Sequence, residues 1–180
     1  MMTRAKVVFW VALVFAVFQL FVPVFVLLID LQLRALHVIF GISTALHAFS
    51  FTKTAKDGTK LSPWDLAAPE EALVANINIF LKCIQIYNYP GGATTTDLIL
   101  GIALILIILD AARRTIGWAI PILVVLMFGY VFLGPIMPGM WKHPGFSWEF
   151  VINSVYYSPL GIYGSVSGMS PTFIAMFIIF

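Results

Sequence analysis

The residues best suited to chemistry lie late in the chain, where Gly161 to Thr172 reads G-I-Y-G-S-V-S-G-M-S-P-T. Three glycines, three serines and a proline in twelve residues oppose a continuous helix. An apolar run, F-I-A-M-F-I-I-F, follows from Phe173 to Phe180. Irregular backbone at membrane depth is tolerated only where it is buried in protein or lines a cavity. In transporters, interrupted helices of this kind hold substrates and ions. Carbonyls beside the glycines, with the hydroxyls of Ser165, Ser167, Ser170 and Thr172, can replace the water around a hard cation such as Na⁺. Free N–H groups at a half-helix start near Ser170–Phe173 can face a carboxylate. Gly164, Ser165, Ser167, Gly168, Ser170 and Thr172 are therefore the candidate substrate- or ion-binding residues. The competing structural role is close helix packing through small residues. At ~1.5 Å per residue the final apolar run is too short to cross a hydrocarbon core of ~30 Å. The sequence thus reads as the front part of a longer transporter.

Two other polar groups come next. Glu71, Asn78, Lys82 and Gln85 fall within about 60° of one another on a helix of ~100° per residue, opposite Leu73, Ile77, Phe80, Ile84 and Tyr87. That stripe is either a hydrophilic path or a polar seam against neighbouring helices, with the seam favoured. Asp110 precedes Arg113 and Arg114 at ion-pair spacing. A proton carrier is one reading of Asp110; a topological anchor formed with the two arginines is the better one. His37 and His47 lie about 80° apart on a helix, without a carboxylate partner, and zinc-type spacing is absent. No nucleophile elbow and no phosphate-binding loop is found. No enzyme is expected, and no cofactor beyond a coupling ion.

The elements that must position these residues are membrane elements. Hydrophobic residues make up 61%, charged residues 10%, and mean hydropathy is +1.01; soluble chains carry roughly 25% charge. The net charge of +2 gives no basic patch for nucleic acid. The lone Cys83 excludes an internal disulfide framework. Val7–Ile29 follows Arg4 and Lys6 and reads as an uncleaved first span, with Pro23 as a kink. Ala35–Phe51 is the second apolar stretch, and 52–70 a loop in which Trp64 suits an interface. Residues 71–89 form an amphipathic helix. Tyr89–Gly92 is a turn. Thr96 is the expected N-cap of the next span, with Asp97 in its first turn. Ile116–Leu133 is a further span, ended by Gly134-Pro135 and Pro138-Gly139. Ser147 is the expected cap of a short helix Trp148–Tyr157, with Glu149 in its first turn.

Charge settles the expected topology. If 71–89 spans, Arg4, Lys6, Lys53, Lys56, Lys60, Arg113 and Arg114 share one side, against Arg34 and Lys142 on the other. This obeys the positive-inside rule. A flat 71–89 would move the two arginines outside, so spanning is favoured. The expected fold is all-α: a polytopic membrane helix bundle of about five spans plus a broken, incomplete sixth, with a cytoplasmic N-terminus.

Three pieces of the second half resemble a known family: D-L-I-L-G…D-A-A-R-R-T-I-G-W-A-I-P-I at 97–122, G-P-I-M-P-G at 134–139, and G-I-Y-G-S-V-S-G-M-S-P-T-F at 161–173. They are similar to the fused permeases of tripartite ATP-independent periplasmic (TRAP) transporters, of the type paired with TAXI binding proteins. Asp110 stands where the family has Glu, Met169 where it has Val, and Pro171 where it has Ala. Residues 1–96 match more loosely, by span order and by Pro63–Asp65. The resemblance implies that 1–112 is a four-helix scaffold like the small subunit. It implies that 113–180 is a linker span and the start of the large transport subunit, most of which lies beyond this sequence. It also implies Na⁺-coupled uptake of an organic acid across a bacterial or archaeal inner membrane. The partners would be a periplasmic TAXI-type binding protein and the remainder of the permease or a large-subunit chain. A non-transporting membrane scaffold is the alternative.

Overall fold

A computed structural model of the chain describes residues 4–25, 27–49 and 63–170. They form α-helices joined by turns and short 3-10 segments, with no strand among the described residues. The chain is all-α as expected. Among the described residues, two helical segments are long and apolar enough to cross a membrane, against the five spans expected: Thr95–Thr115, with mean hydropathy 2.1, and Ala119–Ile136, with 2.3.

Helix α1 (Arg4–Phe25) and helix α2 (Asp30–Ala48) form an antiparallel hairpin. The first helix ends before Ile29, the expected limit of the first span. The second starts at Asp30, where Ile29 N–H donates to Gln32 Oε1 at 3.2 Å and Asp30 occupies the first turn. Both features satisfy the positive start of a helix. Phe15 and Phe18 of α1 pack on Phe40 of α2, at ring separations of 5.4 and 5.0 Å. Next to them Gln19 Oε1 meets His37 Nδ1 at 3.0 Å.

Helix α3 (Pro63–Asn88) starts within the stretch expected as loop, 52–70, eight residues before the helix expected from Glu71. Pro63 opens it, where a missing N–H costs nothing. The lysines at 53, 56 and 60 lie outside the described residues. The buried positions of α3 include Ala68, Ala72, Ala75, Ile79, Cys83 and Ile86, a spacing of three and four residues dominated by small side chains. Small residues let α2 and α4 approach on either side. Of the apolar stripe of the sequence, Leu73, Ile77, Ile84 and Tyr87 are exposed, and Phe80 is half-buried.

Helix α4 (Thr95–Thr115) is capped by Thr94, not Thr96: Thr94 N–H donates to Asp97 Oδ2 at 2.9 Å, and Asp97 N–H returns a bond to Thr94 Oγ1 at 3.4 Å. Asp97 must sit three residues after its cap to reach back in this way, which fixes the cap at 94. Helix α5 (Ala119–Leu133) packs on α4 and exposes Ile122, Leu123, Val125, Leu126 and Met127. Two 3-10 turns, Gly134–Ile136 and Gly139–Trp141, lead to helix α6 (Trp148–Val155), which packs on α4. Ser147 caps α6 as expected, accepting from Phe150 N–H at 3.2 Å. A tight turn then delivers the short helix α7 (Ser165–Met169) onto α2.

Candidate functional site

The Gly161–Ser170 stretch is interrupted, as its composition requires. The chain leaves α6 and doubles back so closely that Ile162 N–H donates to Val155 O at 2.8 Å. A Cβ on Gly161 would lie 2.1 Å from that same carbonyl oxygen, so this turn admits glycine alone. A helix restarts at Ser165, since Gly164 is extended and Ser165–Met169 is helical; of the expected start near Ser170–Phe173 only Ser170 is described. Ser170 continues the helical backbone. Thr172, like Pro171 and Phe173, lies outside the described residues.

Among the described residues the candidate positions make separate contacts. Ser165 is exposed, and Ser167 Oγ donates back to Gly164 O at 2.9 Å. Ser170 contributes its carbonyl, which accepts from Gln19 Nε2 at 3.4 Å. Gly164 and Gly168 are buried. Gly168 lies against Arg34, whose Nε would be 2.6 Å from a Cβ placed there.

Arg34 is the residue that the sequence reading gave no role. Its Nη1 donates to Tyr163 O at 2.7 Å, and its other terminal nitrogen pairs with Asp30 one turn earlier. Its Nε is buried without a hydrogen-bond partner. A cation on α2 therefore sits directly beside the interrupted segment.

Two tyrosines, Tyr156 at the end of α6 and Tyr163 in the segment, reach into α3. Tyr156 Oη donates to Ala75 O at 2.7 Å, and Tyr163 Oη donates to Asn76 Oδ1 at 2.9 Å. Asn76 in turn donates to Ala72 O at 2.7 Å. A buried tyrosine needs a partner for its hydroxyl. The spacing of Tyr156 and Tyr163 around the break was a usable signal for a docked, ordered segment.

The polar stripe of α3 resolves into a seam. Lys82 Nζ lies 2.7 and 2.9 Å from the two oxygens of Asp97, and Asn78 Nδ2 donates to the same carboxylate at 2.6 Å. The legible signal was symmetry: Lys82 and Asp97 stand at nearly equal distances on either side of the Tyr89–Gly92 turn. Glu71 and Gln85 are exposed and take no part in this cluster. At the opposite end, Asp110 pairs with Arg113 at 2.7 Å and Arg114 at 2.5 Å, the expected spacing. Trp64 Nε1 donates to Asp110 Oδ2 at 3.2 Å, and Arg114 Nη1 to Phe49 O at 3.1 Å. His37 and His47 bond to Gln19 and to the Ser43 carbonyl respectively. His143 packs in the loop after α5. No group of three or more histidine, cysteine or acidic side chains suited to a metal ion occurs among the described residues.

The chain matches no family model, no curated protein and no solved structure.

Proposed function

We propose that the chain is the N-terminal portion of the permease of a TRAP-type secondary transporter. In this reading α1–α5 span the inner membrane of a bacterium or archaeon, with the N-terminus cytoplasmic and the α3–α4 turn outside. Residues 1–112 are the scaffold; residues 113–180 are the linker span and the opening of the transport part. A periplasmic TAXI-type binding protein delivers an organic acid, and Na⁺ drives its uptake.

The observation that carries the reading is the seating of the interrupted Gly161–Ser170 segment against Arg34. The Arg34 guanidinium, held by Asp30 and by the Tyr163 carbonyl, puts a cation beside irregular backbone, the setting an organic-acid site needs. The membrane setting is supported by the inverted pattern of α3, whose small residues face inward while Leu73, Ile77 and Ile84 face outward. Such packing is favourable where the surroundings are as apolar as the side chains. The five-span topology rests on the charge distribution.

The test is uptake of labelled carboxylates by cells that carry the chain, its large-subunit partner and the binding protein. Uptake should depend on a Na⁺ gradient. Arg34→Gln should lower it about tenfold, the loss of one charge-assisted contact, at unchanged protein level. Uptake indifferent both to the gradient and to Arg34 would sink the proposal. The scaffold alternative is favoured by the full satisfaction of Asp97, which leaves that carboxylate no capacity to bind. It predicts that partner assembly survives deletion of 135–180 and that uptake does not need Arg34.

A further inference from the structure

The loop after α5 folds back along the helix that it has just left. Tyr130 Oη donates to Trp141 O at 3.1 Å, and His143 Nε2 lies 3.2 Å from Tyr130 O. Gly145 N–H donates to His143 Nδ1 at 3.1 Å, which leaves Nε2 as the ring nitrogen that donates to Tyr130 O. His143 N–H donates to Gly134 O at 3.2 Å, and the imidazole fills the space that a Cβ on Gly134 would need. Trp141 and His143 are thereby held beside Tyr130. Their rings lie 6.3 and 4.9 Å from the Tyr130 ring, both edge-on. Tyr130 stands six residues inside the end of the apolar segment Ala119–Ile136, about 9 Å back along its axis. The depth of this loop is therefore set by α5.

The loop's own chemistry suits such a depth. Pro135, Pro138 and Pro144 carry no N–H to satisfy. The N–H groups of Met137, Lys142, His143 and Gly145 are all bonded to acceptors in the protein. Irregular backbone near hydrocarbon is tolerated only when its polar groups find partners without water. The side chains turned outward are large and apolar: Ile136 is 80% exposed, Met140 95% and Trp141 65%. Phe132 and Leu133 of α5 are exposed beside them, so the apolar surface of α5 runs on into the loop without a charged residue until Lys142. Lys142 is the single lysine or arginine between residues 115 and 170. Tryptophan, tyrosine and a long-stemmed lysine together mark the boundary between hydrocarbon and headgroups. Trp118, also exposed, stands at the other end of the same segment.

We propose that residues 135–148 form a wedge seated in the lipid interface, with Ile136, Met140 and Trp141 against acyl chains and the Lys142 ammonium at the lipid phosphates. The occupant of this face is phospholipid, because the face continues the surface of α5 at the same depth. The inference rests on the membrane reading of α5 given above and not on transport or its substrate.

The experiment is tryptophan fluorescence of the full chain in phosphatidylcholine vesicles. One version keeps Trp141 alone, with the other tryptophans replaced by Phe. A second has Phe at all five tryptophan positions and carries Met127→Trp, in the middle of α5. Quenchers are lipids brominated either near the headgroup or near the chain end, and acrylamide in the water. Trp141 should lose most emission to the shallow bromines and be shielded from acrylamide; Met127→Trp should lose most to the deep bromines. Gly134→Ala, which the helical backbone accepts there, should push the His143 ring off α5 and open Trp141 to acrylamide while α5 stays in place. Trp141 open to acrylamide and untouched by bromine, with Met127→Trp quenched deeply, would overturn the wedge and leave the face to a protein partner, with the membrane reading intact. Strongest quenching of Trp141 by the deep bromines would also overturn the interfacial seat. A Trp141 signal indifferent to Gly134→Ala would overturn the role of the fold-back in seating the loop. No bromine quenching of either reporter would sink the membrane reading of α5 and the wedge with it.

Discussion

The two ends of the α3–α4 hairpin each hold one carboxylate, and they use it differently. At the turn end, Asp97 is 0% exposed and receives Lys82 and Asn78 from α3, together with the amide and hydroxyl of Thr94 from its own cap. At the far end, the Asp110 side chain is 13% exposed and its main partners, Arg113 and Arg114, lie three and four residues on in the same helix. An i,i+3 or i,i+4 pair can form in an isolated helix. A buried carboxylate whose counter-ion sits on another helix cannot be satisfied until the two helices dock. The turn end therefore specifies tertiary structure, whereas the far end mostly holds two arginines in place. The interrupted segment docks through the Arg34 bond to the Tyr163 carbonyl and through Tyr163 on Asn76 in the middle of α3, with Tyr156 just before it on Ala75.

The largest effect should come from splitting the inter-helix pair. Lys82→Met leaves Asp97 buried with its other donors but without a counter-ion. The cost should be about 3 kcal/mol, at the lower edge for a broken buried pair because Lys82 keeps 28% exposure. Unfolding in mixed micelles measures it. Replacing both partners, Lys82→Met with Asp97→Leu, should recover much of the loss, since an apolar pair carries no desolvation penalty. A single-variant cost no larger than that of Asp110→Asn would erase the distinction between the two ends.

Next in size is Tyr163→Phe. The hydroxyl donates to Asn76 Oδ1, and both residues are 0% exposed. Removing it strands a buried acceptor, at about 1–3 kcal/mol. The Arg34 bond to the Tyr163 carbonyl involves backbone and survives. The loss should therefore be local, read as faster amide exchange across 164–170 with no change around Asp110. Uniform acceleration at both ends would mean that Tyr163 has no separate hold on the segment.

Much of this difference was legible in the sequence, though unevenly. The Asp110–Arg113–Arg114 spacing is local, so helical periodicity alone gave the pairing. The turn at Tyr89–Gly92, the Ser147 cap and the break at Gly161 were likewise local and were read correctly. The N-cap was placed two residues late because three threonines stand in a row, and only the reach of Asp97 back to Thr94 separates them. In α3 the burial face was missed. A two-way split into polar and apolar stripes overlooks a third face of alanines, whose value lies in letting helices approach and not in hydrophobicity. The Arg34 pairing with Asp30 is local, but its contact with the broken segment was beyond reach, since that partner is a backbone carbonyl 129 residues away.

The smallest effect should come from the far end. Asp110→Asn keeps an acceptor oxygen in place, and Arg114 keeps its bond to Phe49 O. Arg113 keeps its place over the Trp118 ring, 5.3 Å from the centroid. The expected loss is about 1 kcal/mol, because an amide oxygen at this position still accepts from Arg114, whose side chain is 2% exposed, and from Arg113, 24% exposed. Trp64 is the decisive second site, because its indole N–H is one of the bonds that bring α3 to this carboxylate. In a cycle of Asp110→Asn with Trp64→Phe, the coupling energy should stay below about 1 kcal/mol, since Trp64 is 39% exposed and water can replace either partner. The corresponding cycle of Lys82→Met with Asp97→Leu should give a coupling several times larger. If instead the Trp64–Asp110 coupling matched it, the far end would also be a point at which docking is specified, and the arginine pair would be holding α3 as well as its own helix.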